Sequence, residues 1–322
     1  MMHRRHFLCT SALALGLPQV WAQSAWPQKP VRVVIPYAAG GVTDSVGRKL
    51  VEKMGQALGQ SFFVENKGGA GGTLGMADVT KAAPDGYTLA LSAISPLTLS
   101  PHLMKLPYQP FKDVVAVAPM MYSPVYVLAT SSFLGKSWND LLQQAQAQPG
   151  SVRIATSGIG SVGHIMVEQL QAQTGLQFTH VPYKGVGQIV TDAVGGHFEL
   201  MLGNPFSTIN SLIEQGKLRV LATTGPQRAP SHPDIPTLAE LGAPQANLTS
   251  LFGFMAPADT PAKVVQRINT LVQELVQTDD IQAILKATDN IALQQDQATF
   301  EEVLREESAS NAAIIQKAGI RI

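Results

Sequence analysis

Residues 31–44 read VRVVIPYAAGGVTD. The β-branched Val31, Val33, Val34 and Ile35 predict a buried strand. Pro36 ends it, because proline has no N–H to give to a ladder. Gly40 and Gly41 permit a tight turn, and Thr43 and Asp44 suit the first turn of a helix. Strand, glycine turn and helix start together aim unpaired backbone N–H groups, and the positive end of a helix dipole, at one point. That is a cradle for an anion that needs no Lys or Arg. Residues 152–164, VRIATSGIGSVGH, repeat the layout. Two such cradles facing one another would grip a small anionic molecule.

The rest of the 322-residue chain can build a frame around them: 45% of it is hydrophobic and only 14% charged. That composition supports a large core and excludes a disordered chain, and the length allows two lobes of ordinary size. Formal net charge is +0, so no basic stripe is at hand to neutralise phosphates and no nucleic-acid partner is expected. Residues 1–22 read as a cleavable export signal: Arg4 and Arg5, an apolar run from Phe7 to Leu17, then Val20-Trp21-Ala22 as the small-residue cleavage site. RRHFL also resembles a twin-arginine signal, so both export routes stay open. The single cysteine, Cys9, falls inside this leader. No later stretch is long and apolar enough to span a membrane, so the expected product is soluble and periplasmic.

Along the chain, strands and helices alternate, which predicts α/β sheets that are at least partly parallel. Val46, Leu50, Met54 and Leu58 form a helical stripe that Gly59 stops. GGAGG at 68–72 reads either as a turn needing positive φ or as a wall that lets a ligand or another lobe come close. Val114 to Val127 is strand-like but broken at Pro119 and Pro124, the expected crossing between lobes. Gly135-Lys136-Ser137 imitates the end of a phosphate-binding loop, but Thr130 stands where that motif needs glycine. Ser137 and Asp140 are better read as a capping box. Residues 158–163 match G-x-G-x-x-G, yet the next strand carries His180 and no carboxylate, which argues against a dinucleotide site. Thr156, Ser157 and Ser161 add hydroxyls to the second cradle. Tyr183 suits a cleft wall. Lys184 reads as a counter-ion or as a solvated surface lysine. Gly203-Asn204 closes a strand, where open α/β sheets bind ligands.

PYAAGGVTD, VENKGGAGG, KAAPDGYTL, ATSGIGSVGH, HVPYKG and GKLRVLATTG, in this order and at this spacing, resemble the Bug receptors, the extracytoplasmic solute-binding component of tripartite tricarboxylate transporters. The likeness runs from about Pro27 to the C-terminus. It implies an α/β fold: a two-lobed periplasmic binding protein of the type II-like Venus flytrap kind, each lobe a mixed sheet flanked by helices. The expected division is 23–124 plus 249–322 for lobe 1 and 125–248 for lobe 2, with the C-terminal helices partly on lobe 2. It further implies that a small carboxylate is held by backbone N–H groups, hydroxyls and water. Carried across residue by residue, the ligand contacts are Tyr37, Ala39, Gly40, Gly41 and Asp44 in the first lobe, with Ser92. In the second they are Thr156, Ser157, Gly160, Ser161 and His164, with Tyr183, Lys184 and Asn204. Asp44 is expected to organise its loop, since two carboxylates repel. His164 reads as bonding its own loop or touching ligand. Ala39 stands where relatives often carry proline, and Gly203-Asn204 where they often carry an acid. The second departure removes a partner for an ammonium group and favours a plain or aromatic carboxylate over an amino acid.

The implied partners are the ligand and membrane transporter subunits, or a sensor kinase if the closed form signals instead. The expected state is a monomer with no cofactor and no metal, because His164 and His180 lack a clustered set of further ligands. A secreted hydrolase is the rival from another class. It would need an activated nucleophile, and there is no G-x-S-x-G elbow and no third partner for Ser161 and His164.

Overall fold

The computed structural model describes residues 26–320, so the expected leader at 1–22 lies outside the described residues. The opening strand forms as its β-branched run dictates: β1 (Val31–Ile35) has four of its five side chains buried. α1 (Val42–Leu58) follows, buries Val46, Leu50 and Met54, and ends at Gly59 with φ 65°. Glycine takes that left-handed conformation without a Cβ penalty. β2 (Phe62–Asn66), α2 (Thr73–Thr80), β3 (Thr88–Ala93), the short α3 (Ser95–Thr98) and β4 (Val114–Ser123) complete the first run. The chain then enters a second sheet through β5 (Tyr126–Ala129), α4 (Trp138–Ala147), β6 (Arg153–Thr156), α5 (Val162–Thr174) and β7 (Thr179–Pro182). α6 (Val186–Val194), β8 (Leu200–Gly203), α7 (Ser207–Glu214) and β9 (Arg219–Ala222) follow in that lobe. β10 (Ser250–Pro257), α8 (Ala262–Leu275), α9 (Asp279–Lys286), β11 (Ile291–Ala292) and α10 (Gln297–Ala318) end the chain.

Two mixed sheets result, as the alternation predicts. The first has the order β11-β4-β10-β3-β1-β2 and the second β7-β6-β8-β5-β9. β1 pairs in parallel with β2 and β3, while β10 inserts antiparallel between β3 and β4. In the second sheet β6 pairs in parallel with β7 and β8, and β5 lies antiparallel to β8 and β9. Both cradles therefore sit at the carboxyl ends of parallel strands, β1 and β6, where such sheets leave a crevice.

The structure corrects the reading of Pro119 as a strand break. β4 runs through it, and the register with β10 shifts between Phe252 and Gly253, which pair with Met121 and Pro119. The extra residue, Met120, is a bulge, the place where a strand tolerates a proline without an N–H. At Ser137 the capping box is present: the Asp140 N–H donates to Ser137 Oγ at 3.2 Å and the Ser137 N–H to Asp140 Oδ2 at 3.0 Å. α10 buries Phe300 and Leu304 among Met76 and Met255 of the first lobe. Three turns on, Ile315 packs on Leu99 and on Ile165 of α5. One helix thus lies across both lobes.

Candidate ligand-binding site

The first cradle is held open by its own carboxylate. Pro36 ends β1, Gly40 turns at φ 87°, and Gly41 is the helix cap with no side chain to satisfy the first turn. The first N–H of α1 with a backbone acceptor is that of Ser45, bonded to Gly41 O at 2.8 Å. Those before it point out of the helix start. Asp44 faces back into the loop. Its carboxylate accepts from Gly40 N–H at 3.0 Å and Asn66 Nδ2 at 2.9 Å, and pairs with Arg48 at 2.8 Å. Burial works against that charge, but Arg48, the Gly40 N–H and Asn66 outweigh it and hold the carboxyl below its ordinary range.

The second cradle is held by a pair of histidines. β6 ends at Thr156, the loop turns at Gly158 (φ 127°) and Gly160 (φ 79°), and Ser161 caps α5, accepting the His164 N–H at 3.3 Å. His164 Nδ1 accepts the Gly160 N–H at 3.3 Å. Its ring stacks on His180, with centroids 4.5 Å apart. His180 Nε2 meets Thr156 Oγ1 at 2.6 Å. Burial pushes both imidazoles down, His180 to about 4, with His164 as the lesser cause there. At neutral pH both rings are uncharged, and His164 is free to accept.

Between the two cradles lies a cavity of about 60 Å³. Tyr37, Gly41, Asp44, Ser157, Ser161 and Asn204, six of the residues named from the sequence as ligand contacts, line it. The other residues expected there stand behind the wall or on the rim. Ser92 is fully buried, its hydroxyl donating to Ala93 O at 2.7 Å. Thr156, Gly160 and His164 lie beneath the second loop, bound to one another or to His180. Tyr183 is turned away, its hydroxyl donating to Asp192 at 2.6 Å. Lys184 offers its backbone carbonyl to the Ala38 N–H at 3.4 Å, with its side chain exposed. Ala39 and Gly40 are exposed on the first loop and do not line the cavity. Sequence reasoning missed the apolar wall of Val125, Val186, Leu202 and Phe252. Val125 comes from the crossing between β4 and β5, Phe252 from β10 and Leu202 from β8, a meeting that no local pattern reveals.

Backbone meets backbone along the mouth. A Cβ on Gly71 would collide with Ile159 O, one on Gly187 with Ala39 O, and one on Gly68 would sit 2.7 Å from Lys184 O. Both readings of the GGAGG stretch hold: Gly69, Gly71 and Gly72 take positive φ, and Gly71 lets the other lobe come close. Ser100 Oγ adds a hydrogen bond across the gap to Gly160 O at 3.4 Å. Among the described residues no Lys, Arg or His lines the cavity, and Asp44 is the one charged wall residue. The features there that suit an anion are the pair of helix starts, α1 from one lobe and α5 from the other, supplemented by hydroxyls.

A family model described as "Tripartite tricarboxylate transporter family receptor" matches residues 46–320. A Cupriavidus necator protein described as "UPF0065 protein in gbd 5'region" is 34% identical over 99% of this chain and 99% of its own length. Protein BugT of Bordetella pertussis is 33% identical over 84% of this chain and 82% of its own. Among solved structures, the periplasmic binding protein BugD is 30% identical and superposes with a TM-score of 0.87 over 92% of this chain and 99% of its own. An R. palustris protein solved with adipate is 28% identical, with a TM-score of 0.87 over 92% and 99%. MatC from Rhodopseudomonas palustris, solved with bound malate, is 29% identical, with a TM-score of 0.84 over 90% and 100%.

Proposed function

Because this chain belongs to the tripartite tricarboxylate transporter receptor family, whose members here include BugT and BugD, we propose that it captures a small carboxylate in the periplasm and delivers it to membrane transporter subunits. The observation that carries this reading is the pair of helix starts from opposite lobes opening on one cavity without a cation. The adipate and malate bound by two relatives support the carboxylate class. The wall residues contribute shape and hydrogen bonds, and no activated nucleophile stands among them. Ligand favours the closed form by contacting both cradles at once, that is, by its differential affinity for it. We place the hinge at the two crossings, Pro124–Val125 and Asn247–Thr249, so that 23–124 with 249–322 moves against 125–248.

A thermal-shift screen of the purified protein against small carboxylates tests the reading. A ligand at 100 times its dissociation constant adds roughly 2.7 kcal/mol of stability. Ser161→Asp should abolish that shift, because Asp still caps a helix but puts a charge in the cradle. Ser161→Asn, a neutral cap of the same shape, should retain far more of it. Equal shifts for both variants would show that the cradle does not hold the anion.

A further inference from the structure

We propose that the ligand is a short monocarboxylate, its one carboxylate on the paired helix starts and its small apolar body against the hinge-side floor of the cavity. This rests on the anion-cradle reading above. The floor is made by Val125, Leu202 and Phe252, each 3% exposed. Two polar groups, Asn204 and Ser250, stand among them. Each already gives a hydrogen within the protein: Asn204 Nδ2 donates one of its two N–H groups to Pro124 O at 2.8 Å, and Ser250 Oγ donates to Asn204 Oδ1 at 3.4 Å.

At that floor a second carboxylate on the ligand would meet mainly aliphatic and aromatic carbon, and on the first lobe's side the Asp44 carboxylate stands beside the hydroxyl residues Tyr37, Thr43 and Ser95. The second carboxylate would leave water for no cation and at most one spare amide N–H of Asn204, and an ionised group buried with so few partners is strongly disfavoured. An apolar body gains from the same surface. At the other end the donors are free to serve. Ser161 Oγ accepts from His164 N–H, which leaves its own hydrogen to give.

Isothermal titration of the purified protein with butyrate, isobutyrate and pyruvate, set against succinate, malate and adipate, tests this. We expect the best monocarboxylate to bind at least about tenfold more tightly than any dicarboxylate. Tighter binding of succinate, malate or adipate would overturn the monocarboxylate assignment and leave the anion cradle standing. Failure of all six acids to bind would overturn the carboxylate reading beneath it as well. Asn204→Lys sets an ammonium at the floor and should move the succinate-to-butyrate preference towards succinate. An unchanged ratio in a folded variant would overturn the role given to the floor.

Discussion

His164 does its work as a neutral ring. Its Nδ1 accepts the Gly160 N–H only while unprotonated, which puts the ring proton on Nε2, 3.8 Å from Glu168 Oε1. The groups that face the pair are Glu168, whose carboxyl is raised by burial, the Thr156 hydroxyl and the Gly160 N–H. Both folded-state pKa values are depressed, so the unfolded chain takes up protons first as pH falls. Stability from this pair is complete above the unfolded histidine value of about 6.5. It declines as pH drops towards His180's value of about 4. Melting temperature measured over that window should fall, and a His164→Asn, His180→Gln double variant should fall less steeply. His164→Ala, which removes the acceptor, should weaken carboxylate binding, and His164→Asn should restore part of it; equal binding by both would separate the ring from the loop. The sequence showed that His164 begins a helix, but its stacking partner lies sixteen residues on, in another element, and strand pairing alone brings the two together.

At the scale of elements, the two strand–glycine–helix units were legible because each is local: β-branched run, turn residues, cap. The same holds for the capping box at Ser137 and the stop at Gly59. Pro119 misled because a bulge is a property of the strand pair and not of one strand. α3 and β11, four and two residues long, show no period to read. α6 begins at Val186, earlier than its apolar residues suggest, because Gly187 sits inside it. That glycine has a test. A Cβ there would strike Ala39 O on the opposing lobe, whereas in the helix alone alanine is favoured by up to about 1 kcal/mol. Gly187→Ala should leave the protein without ligand as stable as wild type or more so, and weaken carboxylate binding. Small-angle scattering at saturating ligand should show a larger radius of gyration. Unchanged affinity and radius would mean that the lobes need not approach so closely.

The whole molecule shows a division that composition could not announce. Length and hydrophobic content allowed two lobes, and the ordered motifs set their likeness, but the cavity wall is drawn from strands, a helix start and a crossing far apart in sequence, and only the assembled fold discloses it. The insertion of β10 between β3 and β4 bears on how the protein is made. As the chain grows, residues 126–222 contain every strand of the second sheet. The first sheet cannot close until residue 250 and beyond arrive, which leaves the β3 and β4 edges without their central partner. Long-range pairing of this kind is slow and exposes strand edges. The second lobe should therefore mature first. Pulse-labelled hydrogen exchange during refolding should protect amides of β5, β6 and β8 before those of β3 and β4, and the reverse order would contradict this. On the periplasmic reading proposed above such a schedule is useful, since half of the protein stays uncommitted until the last quarter of its length has been delivered.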